Sequence, residues 1–414
     1  MQSGTRIGSL FGIPLYIHSS WLIIVALFTF AKGLYWQEQY EQWSQSLAFG
    51  IGFASSILLF VSVLLHELGH SLVAISQGIK VNSITLFLFG GIAAIDRESK
   101  TPVQAFQVAI AGPFVSFALF VGLNLLASAF SSSDVPDAPI RVLTQNLAQI
   151  NLVLCLFNLI PGLPLDGGQV LKAILWQVTG DRFKAVRTAA QVGSLLGGVA
   201  IFFGLFVALT IPGFTVGFWI ALIGWFIWQN ASTYDRVATL QQILVNTSIA
   251  DAMTRHFRVV EGNLTLRDFT DRYLLSELYE DTQAKHYPYF AASEGRYRGA
   301  LKIDDLRYIE RSLWETKTLN EIAHPLGDLV TVRENTSLLD GILVMERQKL
   351  RDLIVLTPAD AIAGILDRGD IVQTVAQKLG MTVPKLEIDR IKAEGKYPNS
   401  FQLNAIAEAT SLEQ

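Results

Sequence analysis

Between residues 42 and 79 the chain runs for 38 residues with one acidic side chain, Glu67, and no lysine or arginine. A bilayer's hydrocarbon core is crossed by about 20 consecutive apolar residues, so this run is long enough to span one. Four more runs are uncharged or nearly so, at 7–32, 101–133, 142–171 and 188–234. The last is too long for a single crossing, and Pro212-Gly213 divides it into a helical hairpin. These runs imply a polytopic α-helical membrane protein with about six transmembrane helices. They centre near 20–32, 47–70, 104–130, 142–160, 189–210 and 216–230. Segments 7–19 and 79–95 are apolar but too interrupted to place as helices.

Charge confines this character to part of the chain. Charged residues make up 16% of the sequence, against about 25% in an ordinary soluble protein. Residues 1–230 hold 19 of them and residues 231–414 hold 49. One part suits lipid and the other suits water. The net charge of −4 offers no basic field for nucleic acid. A single cysteine, Cys155, excludes a disulfide framework or a Cys-rich metal site. The first residues lack the basic start and small-residue cleavage site of a secretory signal, so a retained N-terminus is expected.

Lys172, Arg182, Lys184 and Arg187 gather in the 172–187 connection, whereas 211–215 has no cation and 131–141 has only Arg141 beside Asp134 and Asp137. Positive charge marks the cytosolic side, so both termini of a six-span chain lie in the cytosol. A multi-pass protein of the cell membrane (plasma or inner) is the expectation. Between the second and third spans, residues 81–95 are β-branched and aromatic, with Gly90-Gly91 as a turn. This pattern predicts a short hairpin packed against protein or lining a wet cavity, since lipid cannot satisfy its backbone. The alternative is a surface connection.

Ionisable residues inside a membrane are costly and point to function. His66, Glu67 and His70 fall in the second span, as Leu65-His66-Glu67-Leu68-Gly69-His70. Residues i and i+4 share a helix face, so His66 and His70 can present two imidazoles to one metal ion. Glu67 projects beside that pair, within reach of a metal-bound water. This is the H-E-x-x-H pattern of zinc hydrolases, with Glu as general base. Asp166 is a candidate third ligand. It comes after Pro161 and Pro164, which stop a helix, and adjoins Gly167-Gly168, so the break can aim it sideways into a bundle. Ordinary turn chemistry at a membrane exit is the alternative. Depth favours a ligand: His66 lies about 29 Å along its span, and Asp166 is expected near the same cytosolic level.

These residues resemble the site-2 protease family of intramembrane metalloproteases. The matching elements are His66-Glu67-Leu68-Gly69-His70, Asn158…Pro161…Leu165-Asp166-Gly167, Phe89-Gly90-Gly91 and Ala111-Gly112-Pro113, within about residues 5–230. The resemblance implies one Zn2+ per chain held by His66, His70 and Asp166, with Glu67 as catalytic carboxylate and Asn158 near the metal as substrate-aligning or oxyanion-stabilising group. It also implies that Ile84–Ile92 is an edge strand pairing with unwound substrate, and it places His18 in a core or gating role. The implied activity is a zinc-dependent endopeptidase that cuts within or near the transmembrane segment of a membrane protein, in regulated intramembrane proteolysis.

From Asp235 onward the composition is that of a soluble protein. Two stretches, from Tyr287 to Leu306 and from Asp352 to Ile371, each read strand, turn, Gly-led strand, then an Asp opening a helix. Helical Leu266–Leu275 and Leu338–Glu346 precede them. Such a repeat of about 65 residues resembles a soluble α/β tandem of CBS domains. The expected domains are a transmembrane protease at 1–235, CBS domains at 246–310 and 320–380, and a polar tail at 381–414. The CBS resemblance implies an adenosine nucleotide near Asp305 and Asp370 and a regulatory role. Lys302 and Asp367 stand where that family has Ser or Thr, which keeps a homodimerising or substrate-docking module open. Two further functions stay open on the sequence: a membrane transporter or channel gated by its CBS pair, and an inactive metal-binding scaffold. The intact Glu67 speaks against the scaffold.

Overall fold

The computed structural model of the chain describes residues 4–88, 90–129, 138–210, 214–275, 288–398 and 402–413. Phe89, the Pro212-Gly213 turn, Asp134, Asp137 and Tyr287 lie outside the described residues. The chain forms two compact units, divided between Thr239 and Leu240.

The first unit begins with strands that the sequence pattern did not place. β1 (Thr5–Leu10) and β2 (Ile13–Ile17) form a hairpin whose turn residues, Phe11 and Gly12, both have positive φ. That is the twist a two-residue hairpin turn requires. β2 runs parallel to β3 (Val81–Phe87), and β3 pairs antiparallel with β4 (Gly90–Ile95). The order β1-β2-β3-β4 corrects two expectations. The turn of the second hairpin falls before Gly90, because Phe87 pairs with Gly90 and Leu86 with Gly91. Ile84 is an interior strand residue with neighbours on both sides, so the edge strand of this hairpin is β4, β1 being the sheet's other edge.

Six helices and the greater part of a seventh complete the unit: α1 (Ser20–Gln39), α2 (Gln45–Ser76), α3 (Pro102–Ala129), α4 (Pro139–Asn158), α5 (Asp166–Thr179), α6 (Arg182–Thr210) and α7 (Phe214–Asn246). α2 packs against α1, α3 and α4, while α5 packs against α3 and α6. Small and weakly polar residues of α2 face inward, among them Ala48, Gly52, Ser55, Gly69 and Ser71. Large apolar residues such as Phe114, Leu125, Phe202 and Leu209 face outward. Water would drive the reverse arrangement. Lipid permits this one, because close helix packing favours small residues. Among the described residues α2, α3, α4 and α6 are long and apolar enough to cross a membrane. α1 and α7 occupy the first and sixth expected positions, but α1 carries Lys32 and Glu38, and α7 becomes polar from Gln229.

Helix α4 stops at Asn158, and residues 159–165 form the connection into α5, with Gly162 and Leu163 buried and Pro161 exposed. Leu163 is fully buried against Ala189 and Ala190, and its amide donates to the Ala189 carbonyl. α6 approaches so closely there that any side chain on Gly193 would collide with the Leu163 carbonyl. The two-proline break is thereby fixed in place by packing.

The second unit, Leu240–Ser411, contains two three-stranded sheets of identical design. In one, β5 (Arg258–Glu261) runs parallel to β6 (Tyr289–Ser293), which pairs antiparallel with β7 (Arg296–Leu301). In the other, β8 (Thr331–Arg333) runs parallel to β9 (Asp352–Leu356), which pairs antiparallel with β10 (Ile362–Asp367). Leu266–Phe269 (α9, after the short helix α8 at Ile249–Ala252) and Leu338–Arg347 (α11, after α10 at Leu319–Ile322) lie ahead of the antiparallel pairs, as the repeat predicts. α12 (Arg368–Lys378) comes after β10 and is capped by Asp367, whereas Asp305 sits within a short 3-10 turn. The C-terminal segment is more than a polar tail. α13 (Lys385–Glu394) and α14 (Leu403–Glu413) bury Ile388, Ile391, Leu403 and Ala407 in the core that holds Leu338, Ile342 and Val355.

Candidate metal centre

One turn of α2 separates His66 from His70, and both imidazoles turn inward, 3% and 8% exposed. Their Nδ1 atoms are engaged on the far side. His70 Nδ1 lies 2.6 Å from the Val108 carbonyl oxygen, which can only accept, so Nδ1 carries a proton and Nε2 is the nitrogen turned towards the cluster. His66 Nδ1 lies 2.9 Å from Ser116 Oγ. Outer hydrogen bonds of this kind orient imidazoles for metal binding. α3 supplies both partners.

The two Nε2 atoms, 3.3 Å apart, meet a carboxylate oxygen of Asp166 at 2.9 Å from His66 and 3.3 Å from His70. Asp166 is 100 residues distant in sequence and arrives there as the first residue of α5. Bonds of about 2.0–2.1 Å to a tetrahedral ion put its ligand atoms roughly 3.3 Å apart. The observed separations match that edge, so the three side chains fit a metal ion. Gly112 of α3 closes the fourth side, where a Cβ would strike His70 Nε2 and lie 2.7 Å from His66 Nε2. Only glycine leaves that volume free. Pro113, the next residue, lies inside the helix and has no amide to donate.

Glu67 stands beside this cluster and under the hairpin. A Cβ on Gly91 would lie 2.6 Å from Glu67 Cγ, and Ala93 of the same strand lines one cavity with Glu67. The edge strand β4 therefore lies directly over the carboxylate. Glu67, His70 and Asp166 open into a cavity of about 390 Å³ whose far wall includes Asp96–Ser99, Gln169, Lys172 and Tyr234. There the Glu98 carboxylate joins Lys172 at 3.0 Å and Arg182 at 2.9 Å. The Lys172 ammonium, with Arg182 beside it, holds the Glu98 carboxyl down at about 2. Lys172, which the charge pattern presents as a free cytosolic cation, is 5% exposed and paired.

Ser116, Val108 and the Glu98 pair escape a reading of the sequence. Ser116 is one turn beyond the Gly112-Pro113 motif, a weak signal, and a backbone carbonyl gives none. Asn158 is the half-buried last residue of α4, at the start of the break leading to Asp166. His18 stays outside the cluster: its Nδ1 lies 2.8 Å from Ser20 Oγ, beside a separate cavity lined by Trp21 and Leu22. In the second unit, the Asp305 carboxylate bonds His324 Nε2 at 2.6 Å. Asp370 and Asp367 both bond Lys392 of α13, at 2.6 and 2.9 Å.

A buried histidine pair, a carboxylate from a broken helix and an adjacent glutamate within a helical membrane unit define a membrane-embedded metallohydrolase. The family model for peptidase family M50 matches residues 54–138 and 128–205. Two curated relatives carry the name "Putative zinc metalloprotease". One, sll0528 of Synechocystis, is 39% identical over 90% of this chain and 96% of its own. The other, Rip3 of Mycobacterium tuberculosis, is 34% identical over 91% and 93%. A solved structure, the site-2 protease from Methanocaldococcus jannaschii, is 31% identical over 56% of this chain and 95% of that one, with a TM-score of 0.40. The chain belongs to the site-2 protease family, peptidase family M50, and is an intramembrane zinc metalloendopeptidase.

Proposed function

We propose that this protease hydrolyses a peptide bond within or near the transmembrane segment of another membrane protein, and that His66, His70 and Asp166 hold its zinc. The observation that carries the assignment is their convergence, within 4.8 Å of one another, beside Glu67. The metal, when bound, supplies Lewis acidity, lowering the pKa of water and polarising the scissile carbonyl. Glu67 then acts on protons: it takes one from the attacking water and returns it to the leaving amine nitrogen. Asn158 donates a hydrogen bond to the oxyanion. β4 receives the substrate as an added strand, which presents the carbonyl to Glu67 and requires the substrate helix to unwind first. Glycine and proline in the substrate span should therefore speed cleavage.

Six spans, with α1 and α7 as first and last, put both termini on the cytosolic face of the cell membrane. Loop cations support that orientation. In this reading residues 1–235 are the protease domain, 246–310 and 320–380 are a CBS pair, and 381–414 are a C-terminal segment whose Ile388, Ile391, Leu403 and Ala407 pack onto the second copy. The repeated parallel-then-antiparallel sheets support the pair. Its role is regulatory, with homodimerisation and an adenosine nucleotide as its modes. Asp305 and Asp370 are the nucleotide candidates, although His324 and Lys392 now hold them.

The test is metal content of detergent-purified protein beside His66→Ala and Asp166→Ala variants of equal folding. About one zinc per chain, lost in both variants, supports the shared site. Retention in the Asp166 variant breaks the constellation and means that the third ligand is another group.

A further inference from the structure

Among the described residues the edge strand β4 has a ladder partner on one side only, β3. Yet it must hold its place, because Gly91 lies against Glu67 and Ala93 lines the same cavity. The segment immediately after β4 supplies the missing anchorage. Asp96 closes the hairpin base, its amide donating to Lys80 and its carboxylate accepting from Asn82. Ser99 donates to Gln77 at the end of α2. Between them Glu98 reaches the opposite wall of the cavity, where one carboxylate oxygen takes Lys172 of α5 and Arg182 of α6 together.

The placement is informative. Glu98 stands three residues beyond the end of β4, and Lys172 stands six residues beyond Asp166 on the same helix. A single carboxylate thus joins the strand over the general base to the helix that delivers the third ligand. Lys172 is buried, and its ammonium donates to Glu98. A buried ammonium without its counter-ion is costly. Nothing in the chemistry of peptide hydrolysis uses this pair directly.

We propose that Glu98 is a positioning residue of the protease: it clasps the outgoing end of β4 to α5 and α6, and so fixes the spacing between the substrate-receiving strand and the helix that begins at Asp166. This inference rests on the substrate-pairing role proposed for β4. Loosening the clasp lets the edge strand sway. The cost falls on substrate capture, while the metal ligands, held by α2, α3 and the Leu163 packing, stay put.

The experiment uses the full chain in bilayer nanodiscs with a single-span reporter carrying a Gly-Pro break. Glu98→Gln is expected to raise KM on the order of tenfold with kcat changed less than about threefold. Zinc content should be unchanged. The exchanged pair Glu98→Lys with Lys172→Glu should recover most of the lost KM, which a general loss of structure would not allow. Hydrogen–deuterium exchange at Gly90–Ile95 gives a readout free of activity, and Glu98→Gln should speed it. Unchanged exchange in β4, or a KM within about twofold of wild type in a chain that cleaves, overturns the clasp. Loss of zinc in Glu98→Gln also overturns it, since the residue would then be supporting the centre itself. If wild type leaves the reporter uncut while exchange in β4 still rises with Glu98→Gln, the clasp stands and the substrate-pairing reading fails.

Discussion

Gly112 of α3 faces Nε2 of His70 across a gap too small for a methyl group. The same absent Cβ would lie 2.7 Å from His66 Nε2. A side chain there takes the space in which the three ligand atoms converge. Gly112→Ala should therefore abolish stoichiometric zinc binding while the chain remains folded, since alanine favours a helix over glycine by about 1 kcal/mol. Metal analysis together with far-UV circular dichroism checks this. Full zinc occupancy in the variant would show that the ion sits elsewhere.

Ser116 orients His66 from behind, through Nδ1. Outer-shell partners of ligating histidines typically carry about 10–100-fold in metal affinity. Ser116→Ala should weaken zinc by that order, measured by competition with a chelator. Affinity equal to wild type would mean that Val108 and helix packing alone hold the ligand geometry.

Glu67→Gln preserves shape and removes the proton-carrying carboxylate. Cleavage should fall by a factor on the order of 10²–10⁴, with about one zinc per chain retained. Parallel metal analysis and reporter cleavage separate chemistry from binding. Cleavage at the wild-type rate would remove Glu67 from the mechanism.

The Glu98 carboxyl is held at about 2, below its ordinary 4.5, by Lys172 and then Arg182. A depressed carboxylate stabilises the fold fully above its unfolded pKa, and that contribution disappears as pH falls through the folded value. Glu98→Gln should consequently melt below wild type at pH 7 and at pH 5, with the difference shrinking below about 4.5 and vanishing near 2. The Glu98 side chain is 40% exposed, so water screens part of the attraction and the offset should be modest. Thermal melts of both chains across that range decide it. A gap that stays constant to pH 2 would point to packing rather than charge.

Local spacing settled much about this protein. A step of four residues from His66 to His70 puts two imidazoles on one helix face whatever surrounds them, because the α-helix repeats every 3.6 residues. Long uncharged runs located the helices that cross lipid, since an unpaired charge is costly there. The prolines before Asp166 announced a break. Repeated strand and turn patterns revealed a duplicated C-terminal unit.

Tertiary structure decided whatever depends on partners distant in the chain. Asp166 reaches His66 because Leu163 packs under α6, and no spacing within residues 159–166 encodes that. Which strand is the edge depended on β2 pairing in parallel with β3, a contact between segments some 70 residues apart. The Ile84 segment, β-branched and aromatic, reads equally well as an edge or an interior strand. Lys172 has the look of a solvated loop cation until Glu98 folds against it. Ile388 and Leu403 sit in a stretch that reads as a polar tail, because sparse apolar residues show their burial only when a core is there to receive them. Sequence carries periodicity and chemistry; the pairing of remote surfaces is fixed by shape, and shape exists only once the chain has folded.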